Sequence, residues 1–505
     1  MSSKECVACL VILTAVSVAA LGLADPAAAQ TWTPTGSMNF TRSAHQATLL
    51  LDGRVLVSGG GDASNFAIPQ AETFDPIAGT WSVTGSNIGA RFDHAAVLLQ
   101  DGRALVVGGV LASFFCSFNN TGEIYDPALG TWSSTPNLPT AVGTGASAVR
   151  LLDGRVLVAG GGNRCGGVFA AAALFDPVMG TWASTGSMTT GREFHSAALL
   201  SDGRVLVAGG VAPGGIFDSV ATAEIYDPAM GMWTAVGSMA TARSTSCNGY
   251  MQSYLARLAN GDVLAAAADR TVPPFGCIFI QSRLLTGAAE VFNPGSLSWT
   301  STGAMSVARA STTLTPLNDG RVLVAGGSDL ATTVFASAEL FDPATGTWFT
   351  TAALNAPRST HTATRLADGR VLVAGGGVGS PATLTATAEI YDPVIEVGID
   401  IKPGSFPNSI NPRSRGVIPV AILTTGAFDA TTVDPSSVKF GPNLATPVRA
   451  ALQDVDGDGD ADMILHFRTQ DTGIMCGDTA ASLTGETAGG QTIAGADSVR
   501  TAGCP

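Results

Sequence analysis

Lysine is absent from the whole central part of this sequence, between Trp32 and Pro393. Charged residues make up only 13% of the 505 residues, and the net charge is −14. Nucleic acid binding depends on clustered cations that release the counterions of phosphates, and anionic membranes attract the same clusters. We therefore expect neither nucleic acid nor an anionic membrane surface as a partner.

A long apolar run at the N-terminus, Cys6–Leu23, follows Lys4 and precedes the small residues Ala27–Ala29. This order is typical of a secretory signal peptide with its cleavage site, and no stop-transfer pattern follows it. We therefore expect residues 1–29 to be a signal peptide. The mature protein should be secreted, extracellular or at the cell surface, without insertion into a membrane.

Tryptophan recurs at a nearly constant spacing of about 50 residues, which is typical of a repeat architecture built from small antiparallel sheets. The seven tryptophans are Trp32, Trp81, Trp132, Trp182, Trp233, Trp299 and Trp348. Most units contain an Asp-Gly hairpin such as Asp52-Gly53, then a Gly-Gly pair such as Gly59-Gly60, then an aromatic-Asp-Pro turn such as Phe74-Asp75-Pro76. These turns divide each unit into four strands.

The order of Gly-Gly pair, aromatic residue and tryptophan resembles the kelch repeat over residues 31–393. The resemblance implies an all-β fold, with a seven-bladed kelch β-propeller over residues 30–393 followed by a small β-sandwich-like domain. Trp32 has no Asp-Pro turn ahead of it, and Tyr391-Asp392-Pro393 has no tryptophan behind it. The N-terminal strand should therefore complete the last blade, because an open ring would leave unpaired strand edges.

Residues 394–505 lack the repeat, and their short apolar runs predict a C-terminal all-β domain. Ile401-Lys402-Pro403-Gly404 resembles part of a C-terminal module of secreted bacterial proteins, a resemblance that implies no activity. One loop of this domain holds five carboxylates: Asp454, Asp456, Asp458, Asp460 and Asp462. With Gly459 they match the start of an EF-hand calcium loop, although Leu465 replaces its bidentate glutamate. We expect structural calcium here; the alternative is a solvated acidic turn.

Six cysteines follow the leader, and an even number in an exported chain suggests disulfide bonds. Two fall in equivalent loops of neighbouring units, two in the longest unit, and two flank the C-terminal tail. We therefore expect the pairs Cys116–Cys165, Cys247–Cys277 and Cys476–Cys504. The alternative is a set of free buried thiols.

The layout also resembles copper radical oxidases of the galactose oxidase type, in which a secreted kelch propeller precedes a β domain. Such a site requires a Tyr-His pair, a tyrosine cross-linked to cysteine and a histidine from the C-terminal domain. This sequence has no Tyr-His pair and offers Tyr250 and Tyr254 near Cys247, with His466 as its C-terminal histidine. We therefore expect no catalytic residues.

Two further residue sets are candidates for a site. Arg-x-x-His begins four units, and its members either line the central channel as ligands or satisfy backbone carbonyls: Arg42/His45, Arg91/His94, Arg192/His195 and Arg358/His361. Units without the histidine favour the second interpretation. Phenylalanines in the loops after Gly-Gly either form an aromatic binding rim or pack between blades: Phe66, Phe114, Phe115, Phe118, Phe169, Phe217 and Phe335.

The sequence as a whole favours a secreted, non-catalytic protein that presents a kelch propeller to a protein or glycan ligand, at the end that carries these variable loops. Fold alone does not confer function. The alternatives are a galactose-oxidase-like copper oxidoreductase with a divergent site and a structural component of the cell surface.

Overall fold

The computed structural model describes residues 30–504 except positions 65, 111–118, 141, 164–166, 214–218, 245–253, 268, 272–282, 330–331, 380–382 and 427. The described residues form strands throughout, with two short 3-10 turns at Ala430–Thr432 and Thr469–Asp471. No helix among them is long and apolar enough to span a membrane. The fold is all-β, as the sequence predicts.

Seven four-stranded antiparallel sheets occupy residues 31–392 of the described chain, and we number them sheet 1 to sheet 7. Sheet 1 comprises Gln46–Leu49, Val55–Ser58, Ala71–Asp75 and Thr80–Thr84. Sheet 2 comprises Ala95–Leu98, Ala104–Val107, Gly122–Asp126 and Thr131–Ser134. Sheet 3 comprises Ser147–Arg150, Val156–Ala159, Ala172–Asp176 and Thr181–Ser184. Sheet 4 comprises Ser196–Leu199, Val205–Ala208, Ala223–Asp227 and Met232–Val236. Sheet 5 comprises Leu255–Arg257, Val263–Ala265, Ala289–Asn293 and Ser298–Thr302. Sheet 6 comprises Thr313–Pro316, Val322–Ala325, Ala338–Asp342 and Thr347–Thr351. Sheet 7 comprises Thr362–Arg365, Val371–Ala374, Ala388–Asp392 and Thr31–Thr35. Short two-stranded pairs stand in two of the loops, Asp269–Thr271 with Arg283–Leu285 and Gly377–Val378 with Thr383–Leu384.

The N-terminal strand Thr31–Thr35 pairs with Ala388–Asp392 in sheet 7, and Trp32 lies opposite Tyr391. The predicted exchange of this strand into the last sheet is therefore confirmed. The first strands of successive sheets also contact one another in a closed circuit, since the first strand of sheet 7 touches that of sheet 1. The seven sheets thus surround a common axis, with their first strands innermost.

Two repeated features of the sequence explain why the sheets pack so regularly. Gly59 has a φ of 61°, and a Cβ atom there would overlap the carbonyl oxygen of Arg91 in the approach to the next sheet. Trp81 packs on Phe74 with ring centroids 5.1 Å apart, while its indole nitrogen donates to the carbonyl of Gly36 at 2.7 Å. Because Gly36 follows the last strand of sheet 7, Trp81 joins two neighbouring sheets, whereas the indole nitrogen of Trp299 has no such partner.

Two further four-stranded sheets follow, and we number them sheet 8 and sheet 9. Sheet 8 comprises Ile395–Glu396, Thr492–Ser498, Ala480–Thr487 and Val433–Phe440, and sheet 9 comprises Ile399–Ile401, Val417–Ile422, Asp462–Arg468 and Arg449–Gln453. Ser409–Ile410 pairs with Arg500–Thr501. Side chains of both sheets share one core, in which the rings of Phe440 and Phe467 lie 5.0 Å apart.

The C-terminal sheets contact the propeller at the end that carries the Asp-Gly and Asp-Pro turns. Arg321, after the Asp-Gly turn of sheet 6, donates to the carbonyl of Val394 at 2.8 Å. The hydroxyl of Thr492 donates to a carboxylate oxygen of Asp392 at 3.2 Å. The opposite end, with the loops after Gly-Gly, is on the other side of the ring from these contacts.

Candidate functional site

The arginines of the Arg-x-x-His motif are buried in ion pairs with glutamates on the third strand of the same sheet. Arg192 donates to Glu224 Oε1 at 2.8 Å and to the carbonyls of Gly209 and Thr222 at 2.8 and 3.0 Å. Glu224 Oε2 accepts from the amide of Thr189 at 2.7 Å. The described residues contain six such pairs: Arg42–Glu72, Arg91–Glu123, Arg192–Glu224, Arg243–Glu290, Arg309–Glu339 and Arg358–Glu389.

Sheet 3 lacks this pair because both partners are replaced together. Gly143 stands at the position of the arginine and Ala173 at the position of the glutamate, and both are buried. A buried charge without its partner is far more costly than an apolar pair in the same place. The glutamates were visible in the sequence, in Ala71-Glu72 and its copies, but the two interpretations of the arginines, as ligands of the channel or as partners of backbone carbonyls, did not include them.

Hydrogen bonding decides the charge of the Glu224 carboxyl group. Burial raises the pKa of Glu224, but bonds from the Thr189 amide and the Arg192 guanidinium lower it more, so that the net pKa lies below its ordinary value. For Arg243, burial lowers the pKa while Glu290 opposes this change. The pairs are therefore ionic bridges that hold backbone carbonyls and the entry to each of the six sheets that contain them.

The four histidines of the motif join neighbouring sheets. Nε2 of His195 lies 2.9 Å from the Ser147 hydroxyl of sheet 3, and Nε2 of His45 lies 3.0 Å from Thr362 of sheet 7. Burial lowers the pKa of His195 to about 3, with Arg192 acting in the same direction, so that the ring is neutral. His94 and His361 have the same arrangement, with Ser58 and Thr313. This favours the structural interpretation of the motif.

Tyr254 takes the place of the histidine in sheet 5. Its hydroxyl donates to the carbonyl of Ala208 in sheet 4 at 2.6 Å, and burial raises its pKa. Tyr254 is thus a sheet-joining residue as well. Tyr250 and the cysteines of two predicted disulfides, Cys116–Cys165 and Cys247–Cys277, lie outside the described residues, whereas the predicted Cys476–Cys504 disulfide is present.

The phenylalanines of the variable loops have different environments. Phe66 is 50% exposed. The Phe335 ring lies 5.5 Å from the buried Arg309 guanidinium, and Phe169 is half-buried, with its backbone bonded to Gly161 and Arg192. Phe114, Phe115, Phe118 and Phe217 lie outside the described residues. Of the described members, Phe66 fits a binding rim and Phe335 fits packing within the propeller.

The opposite end of the propeller carries exposed apolar side chains that sequence reasoning missed. Ile77 and Val178, which follow Asp-Pro in their turns, are 97% and 91% exposed. Leu129, Met179 and Met230 occupy similar turns and are also exposed. The sequence did contain a signal for these exposed side chains. The Asp-Pro and Gly residues of the turns are the same in most units, whereas the two residues between them vary.

The aspartate loop brings three of its five carboxylates together. One oxygen each of Asp454, Asp456 and Asp462 lies within 4.8 Å of the others, whereas Asp458 and Asp460 remain exposed outside this group. Asp462 is buried and accepts bonds from the amides of Thr424 and Val455, at 2.8 and 2.9 Å.

The glycines and charges of this loop explain its geometry. The turn uses Gly457 and Gly459, with φ of 82° and 99°, values that favour glycine. The Asp458 amide lowers the pKa of Asp456, but desolvation and the neighbouring carboxylates together raise it above its ordinary value. Grouped carboxylate oxygens of this kind suit a hard cation.

Comparison with known proteins agrees with the geometry of the sheets. A sequence model described as the Kelch motif matches residues 91–139. A comparison with curated proteins found no match. A solved structure described as a novel fungal alcohol oxidase with catalytic diversity among the AA5 family, in complex with copper, aligns with a TM-score of 0.57 at 17% identity, over 93% of this chain and 99% of that chain. At this identity the likeness concerns the fold, and the chain is a kelch-type β-propeller.

Proposed function

We propose that this protein is a non-catalytic binding protein that presents its kelch propeller to a protein or glycan at the exterior of the cell. The observation that supports this most is the structural use of the repeat's arginines and histidines. Each is buried and bonded within its sheet or to the next, as Arg192 and His195 illustrate. The Cys476–Cys504 disulfide supports an exported chain, because disulfides persist in oxidising compartments.

We assign the ligand to the end of the propeller that carries the loops after Gly-Gly. These loops differ between sheets, from the short connection between Ser58 and Ala71 to the long one between Ala265 and Ala289. Aromatic side chains contribute strongly to protein interfaces and stack on sugars. Candidate contacts are the rim residues Phe66, Phe114, Phe115, Phe169 and Phe217, whereas Phe335 packs within the propeller.

A pair of matched variants tests this assignment. Phe66→Ala removes an exposed ring at the variable-loop end, and Ile77→Ser removes an exposed side chain at the turn end. On a glycan array and in pull-down of secreted proteins, Phe66→Ala should weaken capture at least several-fold while Ile77→Ser does not, with both variants melting at the parental temperature. The reverse pattern would move the ligand to the turn end and refute the assignment.

The second candidate function is a copper oxidoreductase with a divergent site, favoured by the likeness in fold to the fungal oxidase. After loading with copper(II) and dialysis, copper content and peroxide release from primary alcohols distinguish the two functions. Equimolar copper together with peroxide would overturn the non-catalytic proposal. Absence of copper binding and of any captured ligand would instead favour a structural component of the cell surface.

We also propose that the aspartate loop binds a structural calcium ion through Asp454, Asp456 and Asp462, with Asp458 and Asp460 as outer candidates. The expected dissociation constant is on the order of 10⁻⁴–10⁻³ M, as in extracellular modules. Asp456→Asn should abolish the calcium-dependent rise in melting temperature, and Asp460→Asn should preserve most of it. Both side chains are exposed, so neither change perturbs the core. A melting temperature insensitive to chelator would identify the loop as a solvated acidic turn.

A further inference from the structure

A cavity of about 450 Å³ lies on the outer face of sheet 9, away from the core that sheets 8 and 9 share. Alternation along the strands defines this face: Met463, Leu465 and Phe467 point into the core, and Ile464 and His466 point the other way. Its walls are the turn at Pro403-Gly404 and the first residues of the aspartate loop. The volume is within the range of small-molecule sites.

Strand register places donors and apolar groups in adjacent rows of this cavity. Arg449 lies opposite His466, which lies opposite Pro419 on the other side. In the next row Ala451 lies opposite Ile464. Residues opposite one another in a sheet have side chains about 5 Å apart. The cavity therefore has a cationic and imidazole wall beside an apolar floor.

Two of these polar groups lack protein partners within the described part of the chain. Arg449 is exposed, and its side chain forms no ion pair or hydrogen bond with a described residue. Nδ1 of the half-buried His466 is inaccessible to solvent and has no hydrogen-bond partner. Gln453 adds an amide to the same lining.

We propose that this groove binds an acidic sugar, with the carboxylate of a hexuronate paired to Arg449 and the sugar ring on Ile464 and Ala451. Arginine pairs with carboxylates through two parallel bonds, which orients a planar group. The face of a sugar ring that presents C–H groups suits an apolar floor, and its hydroxyls suit His466 and Gln453. A neutral sugar lacks the partner for Arg449.

The aspartate loop connects this groove to the proposed calcium ion, and this one link rests on that proposal. Asp454 belongs both to the carboxylate group and to the cavity lining. An uncompensated carboxylate at the edge of the groove repels an anionic ligand. A cation held by Asp454, Asp456 and Asp462 removes that repulsion, so calcium should strengthen binding of the sugar acid.

Calorimetric titration of the full-length mature protein with D-glucuronate tests the groove. D-glucose is the control, because it has a similar ring but no carboxylate. Arg449→Gln should weaken glucuronate binding at least tenfold, Arg449→Lys should restore part of it, and Arg468→Gln should leave it unchanged. Arg468 is the matched control, since it is an exposed arginine of the same strand face that does not line the cavity. Equal binding of glucose, or equal loss in Arg449→Gln and Arg468→Gln, would refute the proposal.

Further titrations distinguish a polysaccharide ligand from a free sugar acid. They also distinguish the groove proposal from the calcium and propeller proposals. Tighter binding of a glucuronate-containing tetrasaccharide than of the monomer would indicate a polysaccharide, and equal binding a free sugar acid. Asp456→Asn should weaken glucuronate binding in calcium, and no change would remove the link through Asp454. Phe66→Ala should not affect this titration, so failure of the propeller assignment and failure of the groove are distinguishable.

Discussion

The buried pair of Arg192 and Glu224 allows the sharpest test of how the repeat is held together. Arg192→Val and Glu224→Ala each leave one charge in the interior without its partner, because the two side chains are 0% and 2% exposed. Removal of one member of a buried pair costs about 3–5 kcal/mol. Each single variant should therefore lose about 4 kcal/mol of unfolding free energy.

The double variant Arg192→Val/Glu224→Ala leaves both positions uncharged, as Gly143 and Ala173 are in sheet 3. It removes both charges, but the carbonyls of Gly209 and Thr222 and the amide of Thr189 still lose their partners. We expect it to cost roughly as much as one single variant, at least ~2 kcal/mol less than the sum of both.

Urea unfolding followed by tryptophan fluorescence measures this cycle. The control is Arg204→Gln, which breaks the exposed Arg204–Asp202 pair of the same sheet and should cost about 0–1 kcal/mol. If the two single changes are additive, or if each costs no more than the control, the pairs are not the interior bridges that their geometry indicates.

Three further predictions concern the ring as a whole. The folded-state pKa of the buried histidines is depressed, to about 3 for His195, so stability is fully present above the ordinary value of 6.5 and falls as the pH decreases below it. Each histidine should contribute about 1.4 kcal/mol per pH unit, and His195→Gln should reduce the slope of the urea midpoint between pH 6.5 and 4.5. Deletion of residues 30–35 should lower the melting temperature of the entire propeller, since sheet 7 would lose its last strand; melting confined to one sheet by hydrogen exchange would contradict this. Gly59→Ala should destabilise far more than Gly53→Ala, because both have positive φ but only Gly59 faces a neighbouring carbonyl; equal melting temperatures would show that the close approach is unimportant.

Features that repeat along the chain could be predicted from the sequence. The spacing of the tryptophans fixes the strand that each occupies, and the unmatched Trp32 was enough to predict its place beside Tyr391. Local turn chemistry also transfers directly, as in the Asp-Gly hairpin at Gly53, whose φ is 85°. Periodicity determines these elements because each copy has the same neighbours.

Contacts between elements were harder to predict. The pairing of Arg192 with Glu224 joins residues 32 positions apart that meet only after the first and third strands have been placed. The five aspartates predict one calcium loop, yet the turn at Gly457 and Gly459 groups only Asp454, Asp456 and Asp462. The groove at Arg449 depends on the register of three strands, which no local pattern specifies.

The exchange of the N-terminal strand also affects the order in which the chain can fold. The Tyr391 hydroxyl donates to Gln30 across 361 positions, so the first strand of the ring to be synthesised pairs only after almost the last one has been made. Closing a free loop of this length costs on the order of 5 kcal/mol of chain entropy. Stacking of sheets 1 to 6 reduces this cost by bringing the two ends together beforehand. Folding should therefore end when the N-terminal strand pairs with Ala388–Asp392. A chain that ends before residue 392 leaves the ring unclosed, and its two terminal sheets lack their neighbours.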